Sequence, residues 1–367
     1  MKIKKTTAHV NKKKVVKNIK KIKARADEKS ITLRPHFKTH QSASIGQWFR
    51  ELGIEKIAVS SFDMARYFAD NGWSDISICI PLNPLLIPDI NQLAKEVSLH
   101  VLVDSLAAVE LLKAEISTNL NVWIEVDIGD ARTGIDANNK EEIVKVAEEI
   151  ELSERLKFKG ILNHAGIAYK AESTQEIEKI YKRSMKMLNS IKQYLLINDI
   201  SQCLISIGDT PTSSIIDSYD ERVDEMRPGN FVFYDLTQFN LGSCNEDEIA
   251  LAIACPVIST HPERDEVIVH GGAIHLSKEY YNDDYGDQVF GLIALPDEGK
   301  GWTKHIKDMA VRKISQEHGI IHGPRNEIEK IKIGDVLVIL PVHSCLNANL
   351  FSELYTTDGK RIQTFRI

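Results

Sequence analysis

The run Arg34-Pro35-His36-Phe37-Lys38-Thr39-His40 sets one lysine between two histidines, where the strand pattern of 31–33 gives way to a loop. A lysine in a low-dielectric pocket with other cations near it loses part of its proton affinity and can form a Schiff base with a carbonyl. Alone, the segment fits a surface lysine at a strand end equally well. Two later clusters alter that balance. Gly208-Asp209-Thr210-Pro211-Thr212-Ser213 and Arg227-Pro228-Gly229-Asn230 bring small residues, hydroxyls and a cation to turns, the composition of a phosphate site. Either by itself reads as an ordinary turn. A Schiff-base lysine together with a phosphate cup is the signature of pyridoxal phosphate (PLP) chemistry.

A further pair sits near the end of the chain, in Pro341-Val342-His343-Ser344-Cys345. If the backbone stays extended there, His343 and Cys345 point to one side and offer an imidazole and a thiolate, a donor set that suits zinc. A buried histidine beside a buried cysteine is the plainer alternative. A structural zinc takes four protein ligands, whereas two ligands with open positions suit a metal that binds substrate.

These residues need elements to position them. Over residues 7–240, apolar runs at 7–10, 31–33, 56–60, 75–80, 100–103, 122–126, 159–162, 204–207 and 232–234 alternate with helical patterns at 11–26, 43–52, 62–71, 85–97, 105–115, 140–150 and 174–198. Repeated strand–helix alternation means a parallel sheet covered by helices, and eight or so units fit an α/β (β/α)8 TIM-like barrel. In such a barrel the chemistry lies at the C-terminal strand ends. Asp127-Ile128-Gly129-Asp130-Ala131-Arg132-Thr133-Gly134 and Asn163-His164-Ala165-Gly166, with Tyr169 beyond, fall at such ends. After about residue 245 strands predominate, at 250–259, 266–269, 319–321, 335–340, 354–355 and 361–367. The expectation is a barrel over 7–243 and an all-β domain over 244–367, with residues 1–6 open to joining the latter.

Length and charge narrow the class. At 367 residues the chain exceeds what one core usually serves. A net charge of -6 argues against general nucleic-acid binding. The lysine-rich stretch from Lys12 to Lys23 carries Val15, Val16, Ile19 and Ile22 at helical spacing, an amphipathic helix with a solvated lysine face. Cys79, Cys203, Cys244, Cys255 and Cys345 form neither a disulfide framework nor a CxxC pair. No membrane span or signal segment is read, so a cytoplasmic protein is expected.

Taken together, the segments resemble the D-threonine aldolase / D-serine dehydratase family, the metal-dependent branch of the alanine-racemase-like, fold type III PLP enzymes. The carrying residues are the RPHxKTH block at 34–40, Glu125-x-Asp127-x-Gly129 with Arg132-x-Gly134, His164-x-Gly166-x-x-Tyr169, Gly208-x-Thr210-Pro211-Thr212, the run from Arg227 to Asp235, and Pro341-x-His343-x-Cys345. The resemblance implies PLP on Lys38, Arg132 near its phenolic oxygen, and Gly208, Thr210, Gly229 and Asn230 at its phosphate. His164 belongs to the same cofactor site, and Tyr169 or Arg227 faces the pyridine nitrogen. It also implies a zinc or other divalent metal on His343 and Cys345, and a homodimer. Two departures stand out. His270-Gly271-Gly272-Ala273-Ile274-His275 replaces a turn that in many relatives carries an acid and a lysine, and Asp209 replaces a small residue in the phosphate turn.

The implied reaction takes a D-3-hydroxy amino acid such as D-serine. The freed Lys38 amine removes the α-proton, the metal binds the β-hydroxyl, and loss of that hydroxyl leads to a 2-oxo acid and ammonia. The nearest alternative is retro-aldol cleavage of D-threonine type, to glycine and an aldehyde; Cys345 in place of a carboxylate favours dehydration. A racemase or a non-catalytic PLP-binding protein completes the set of readings.

Overall fold

The strand–helix alternation is realised as a ring of parallel strands in a computed structural model that describes residues 3–365. Around the sheet the order is Thr32–Leu33, Glu225–Met226, Leu204–Ile207, Leu156–Asn163, Leu120–Asp127, Ser98–Val103, Asp75–Pro81 and Lys56–Val59. A parallel bridge between His36 and Ala58 closes the ring. The covering helices start where short polar side chains cap them. Ser61, Ser105 and Ser173 accept the N–H of Met64, Ala108 and Glu176 respectively, which fixes the helix starts at Phe62, Leu106 and Thr174. Trp123, Leu102 and Leu162 pack into one core cluster of the barrel unit.

A chain of buried polar contacts ties the barrel strands together. Arg34 donates from Nε to Glu225 (2.7 Å) and from Nη1 to Asp75 (2.6 Å). Ser206 Oγ donates to the other oxygen of Glu225 at 2.7 Å, and Arg227 Nε donates to Ser206 Oγ at 2.7 Å. Trp123 Nε1 donates to His100 Nδ1 at 3.1 Å, so the second ring nitrogen of His100 carries the proton that faces Asp75 at 3.2 Å. Burial alone would raise the Asp75 pKa, but the His100 hydrogen bond and the Arg34 charge hold it well below the usual carboxylate range. Arg34, the first residue of the RPHxKTH block, therefore sets strand register.

The second sheet runs Glu266–His270, His318–His322, Ala310–Ile314, Gly291–Ala294, Val336–Pro341, Leu251–His261, Thr7–Val10, Glu353–Thr356 and Arg361–Gln363. An additional pairing of Glu266–His270 with Leu251–His261 closes its first six strands on themselves. By contacts the chain divides into two compact units. Among the described residues, the β unit takes in those up to Ile19, Thr39–Ile45 and those from Asn230 on; the barrel unit takes in Lys20–Lys38 and Gly46–Gly229. Units that interleave along the chain differ from the continuous segments 7–243 and 244–367 that the sequence suggests.

Several elements depart from expectation. Thr7–Val10 is a strand, but it pairs antiparallel with Leu251–His261 and parallel with Glu353–Thr356, not with the barrel. All four of its residues are buried, so nothing in their pattern tells one sheet from the other. The run 232–234 is no strand: Asn230–Val232 forms a 3-10 turn and Tyr234 takes φ +49. The remaining barrel strand is Glu225–Met226, two residues long. The helix expected over 85–97 is a 3-10 turn at Pro84–Leu86 followed by Ile87–Leu93. Gly291–Ala294 and Ala310–Ile314 are strands that the sequence pattern left unmarked. The final strand ends at Gln363, and residues 366–367 of the expected 361–367 run lie outside the described residues.

Candidate active site

In the barrel unit, Lys38 sits in the 3-10 turn Phe37–Thr39, directly after the bridge that His36 makes to the neighbouring strand. Phe37 anchors the turn, with its ring edge-on to Phe68 and Trp73, each at 5.0 Å. The Lys38 side chain is exposed, which differs from the low-dielectric pocket expected for it. What the structure supplies is the cationic company. Burial and then the charges of Lys38, Arg227, His164 and Arg132 hold buried His36 well below the ordinary imidazole pKa. Burial, Arg132 and Lys38 push His164 down to about 3 against one opposing contact, its hydrogen bond to the Gly208 carbonyl. A carbonyl only accepts, so His164 Nδ1 carries the proton and Nε2 presents a lone pair. Three cations around two neutral imidazoles make a cradle for an anion.

The Gly208–Thr212 turn adds polar atoms that lack partners. The Thr210 N–H donates to Tyr169 Oη at 3.1 Å, while the buried Oγ1 atoms of Thr210 and Thr212 have no hydrogen-bond partner among the described residues. Glycine at 208 keeps the turn close to Arg227, since a Cβ there would lie a tight 3.0 Å from Arg227 Nη1. Arg227 is buried and held by Ser206 Oγ and the Asn163 carbonyl, the latter at 2.8 Å. Orphaned hydroxyls, a glycine turn and a cluster of cations fit the anionic cofactor that the sequence implies. Asp209 turns its carboxylate onto its own loop, accepting the Thr212 N–H at 2.6 Å, and burial pushes its pKa up to about 6. Arg132 is exposed, 3.9 Å from Glu125. Gly229 is the last barrel-unit residue of that stretch.

In the β unit the second constellation forms around Cys345. The strand Val336–Pro341 ends, His343 keeps an extended backbone (φ -135), and helix Ser344–Asn349 begins at once. The chain therefore does not stay extended through Cys345, yet imidazole and thiol still meet. Burial would raise the thiol pKa, but the hydrogen bond and charge of His343 draw it below its ordinary value. Burial would likewise lower His343, but Cys345 raises it to about 9. Their hydrogen bond thus favours the ionised form of each side chain. Thr39 Oγ1 lies 3.3 Å from the sulfur, and Asn230 Nδ2 donates to it at 3.5 Å and to Asp235 at 2.6 Å. Asn230 thus gathers with Cys345, and its side chain is engaged there, not in the phosphate turn where it was expected. A thiol whose ionisation is favoured, with an imidazole beside it, fits a soft divalent metal such as zinc. Asp235, which also accepts the Ser344 N–H at 2.8 Å, escaped sequence reasoning as a member of this cluster. Only its place at the end of the Arg227–Asp235 run hinted at a role.

Residues 10–236 match the family model for the alanine racemase N-terminal domain. The chain belongs to that family. Residues 250–357 of this alanine-racemase-type chain match a putative serine dehydratase domain. It is 27% identical over 395 residues to D-serine dehydratase of Dictyostelium discoideum, covering 95% of this chain and 92% of that one. To D-threo-3-hydroxyaspartate dehydratase of Delftia sp. (strain HT23) it is 27% identical over 361 residues, 95% of this chain and 93% of the other. The solved structure of the Delftia enzyme superposes with a TM-score of 0.91 at 25% identity, covering 100% of this chain and 98% of that one. A variant of it has been solved in a metal-free form. D-threonine aldolase of an Arthrobacter species is 24% identical over 352 residues, 93% of this chain and 86% of that one. The fold is accordingly the alanine-racemase-like parallel barrel followed by a β domain, that of the fold type III PLP enzymes.

Proposed function

We propose that the chain is a PLP- and metal-dependent lyase that dehydrates D-3-hydroxy amino acids of the D-serine type to a 2-oxo acid and ammonia. The observation that carries this reading is the hydrogen-bonded pair of Cys345 and His343 in a chain whose Lys38 stands in a cationic cradle. When bound, PLP supplies an electron sink for charge developing at the α-carbon, and a divalent metal supplies Lewis acidity toward a β-hydroxyl.

The protein's own residues do the rest. Lys38 holds the cofactor and moves the α-proton with its amine. Arg132 and Arg227, with Lys38, set a field that favours anions. Gly208, Thr210 and Gly229 hold the phosphate, with the orphan hydroxyl of Thr210 as a donor. His164, fixed on the Gly208 carbonyl, would offer a neutral ring to the cofactor, and Tyr169 supports the same turn through the Thr210 amide. We assign the Asn230 amide to the Cys345 sulfur instead of the phosphate. His343 and Cys345 hold the metal, for which zinc is our choice on donor type; the metal-free form of the Delftia variant supports a metal role in a relative.

Two dehydratases matched over 95% of this chain favour elimination over the aldolase alternative. The deciding experiment is product analysis with D-threonine, using protein loaded with PLP and zinc. 2-Oxobutyrate and ammonia are expected; glycine and acetaldehyde would overturn the dehydratase reading in favour of the aldolase. We further propose a homodimer, checked by light scattering, with a small-molecule substrate as the main partner. A cytoplasmic location is proposed from the cysteine pattern. No helix among the described residues is long and apolar enough to cross a membrane.

A further inference from the structure

We propose that His270, His275 and Glu317 form a second cation site in the β unit, one that takes a divalent transition metal through two imidazoles and a carboxylate. These residues include both histidines of the His270-Gly271-Gly272-Ala273-Ile274-His275 turn that departs from the family pattern, and neither His343 nor Cys345 is among them.

The backbone builds the site. His270 ends the strand Glu266–His270, and His275 lies in the short helix Ala273–Leu276 that follows two glycines. A Cβ on Gly271 would come within 2.6 Å of Cys255 Sγ, and one on Gly272 within 2.4 Å of the Ser315 carbonyl oxygen. Only glycines let the chain turn this tightly and bring the second histidine back beside the first. Glu317 is presented by the hairpin joining Ala310–Ile314 to His318–His322. That hairpin is pinned to the histidine turn. His270 pairs with His318, the Gly271 N–H donates to the Glu317 carbonyl at 2.9 Å, and the Ala273 N–H donates to the Ser315 carbonyl at 2.8 Å.

The side chains then converge. One ligand atom from each of the three lies within 4.8 Å of the others, with His270 Nε2 3.2 Å from Glu317 Oε2. The two imidazoles meet edge to face at 5.2 Å. The independent sign of a missing ligand is His275 Nδ1, an atom that is buried and has no hydrogen-bond partner among the described residues. An unsatisfied buried polar atom is disfavoured, and a metal ion would satisfy it. Two nitrogens and one oxygen suit zinc and its neighbours, with a fourth position for water; calcium and magnesium want all-oxygen sets. Asn347, from the helix that bears Cys345, donates to the His275 carbonyl at 3.0 Å. A metal here would therefore brace the backbone that supports that helix.

The test is a cobalt(II) titration of the PLP-loaded, chelator-stripped chain, followed by absorbance. In Cys345→Ser, which removes any sulfur-to-metal band, we expect one equivalent of cobalt to remain, with ligand-field bands only. His275→Gln and Glu317→Gln in that background should each weaken this binding about tenfold or more. Zinc should raise the melting temperature of Cys345→Ser but not of Cys345→Ser/Glu317→Gln. Glu317→Gln alters only a half-exposed side chain on a hairpin, so it remains informative if the histidine variant fails to fold. Absence of cobalt binding in Cys345→Ser, or residual binding indifferent to both substitutions, would overturn the site. Loss of the sulfur band bears on Cys345 alone, so the two metal assignments fail separately.

Discussion

An amine on a surface turn gains chemistry only from what surrounds it, and around Lys38 that is a set of charges: Arg132, Arg227 and two imidazoles held neutral. Lys38→Ala is expected to abolish both turnover and the visible absorbance of lysine-bound PLP, read in one spectrum and one assay. Cys345→Ser is expected to keep that absorbance and lose dehydration by about a hundredfold or more, which separates metal chemistry from cofactor binding. A chelator should act on the wild type in the same way. Much at this scale was legible in the sequence, because Lys38 with its histidines and His343 with Cys345 are local patterns. Asn230 was not, since its partners Asp235, Ser344 and Cys345 are set by tertiary contacts up to 115 positions away. The exposure of Lys38 was equally invisible, because no local pattern says whether a strand-end turn is covered.

The elements that carry these residues depend on a few close approaches. Gly160 has φ +143, and a Cβ on it would come within 2.0 Å of the Leu204 carbonyl oxygen, where two parallel strands pair. Gly160→Ala should cost about 3 kcal/mol or more in urea unfolding, since backbone of both strands must move. Arg34→Met should cost about 3 kcal/mol or more, because it leaves buried Glu225 and partly buried Asp75 without their cation. Most barrel strands and their helices were readable from apolar runs and serine caps. Glu225–Met226 was not, because two residues carry no periodicity, and its role was given to the more apolar 232–234. That run is buried as expected, yet Asn230–Val232 curls into a 3-10 turn, so burial and strand were confused.

For the whole molecule, acid is the natural stress. Burial pushes the imidazoles of His9 and His40 down to about 4 and about 3, against 6.5 for the unfolded chain. Between pH 6.5 and about 4 the unfolded chain binds protons that these folded sites refuse, so stability falls as the pH drops. Each contributes up to about 1.4 kcal/mol per pH unit. Urea midpoints should therefore decline from pH 7 to pH 5, and less steeply in His9→Gln; a flat profile would contradict the buried neutral state. The two-part organisation was visible in the sequence as a change of texture near residue 245, but the crossing of Thr7–Val10 into the later sheet was not. That crossing has a temporal side. Val10 pairs with Leu251, 241 positions further along the chain. At about 5–20 residues per second a ribosome needs roughly 12–50 s to make that partner. Throughout that interval the barrel can fold as it emerges, while the earliest strand waits as an unsatisfied edge, open to chaperones and to its counterparts on neighbouring nascent chains.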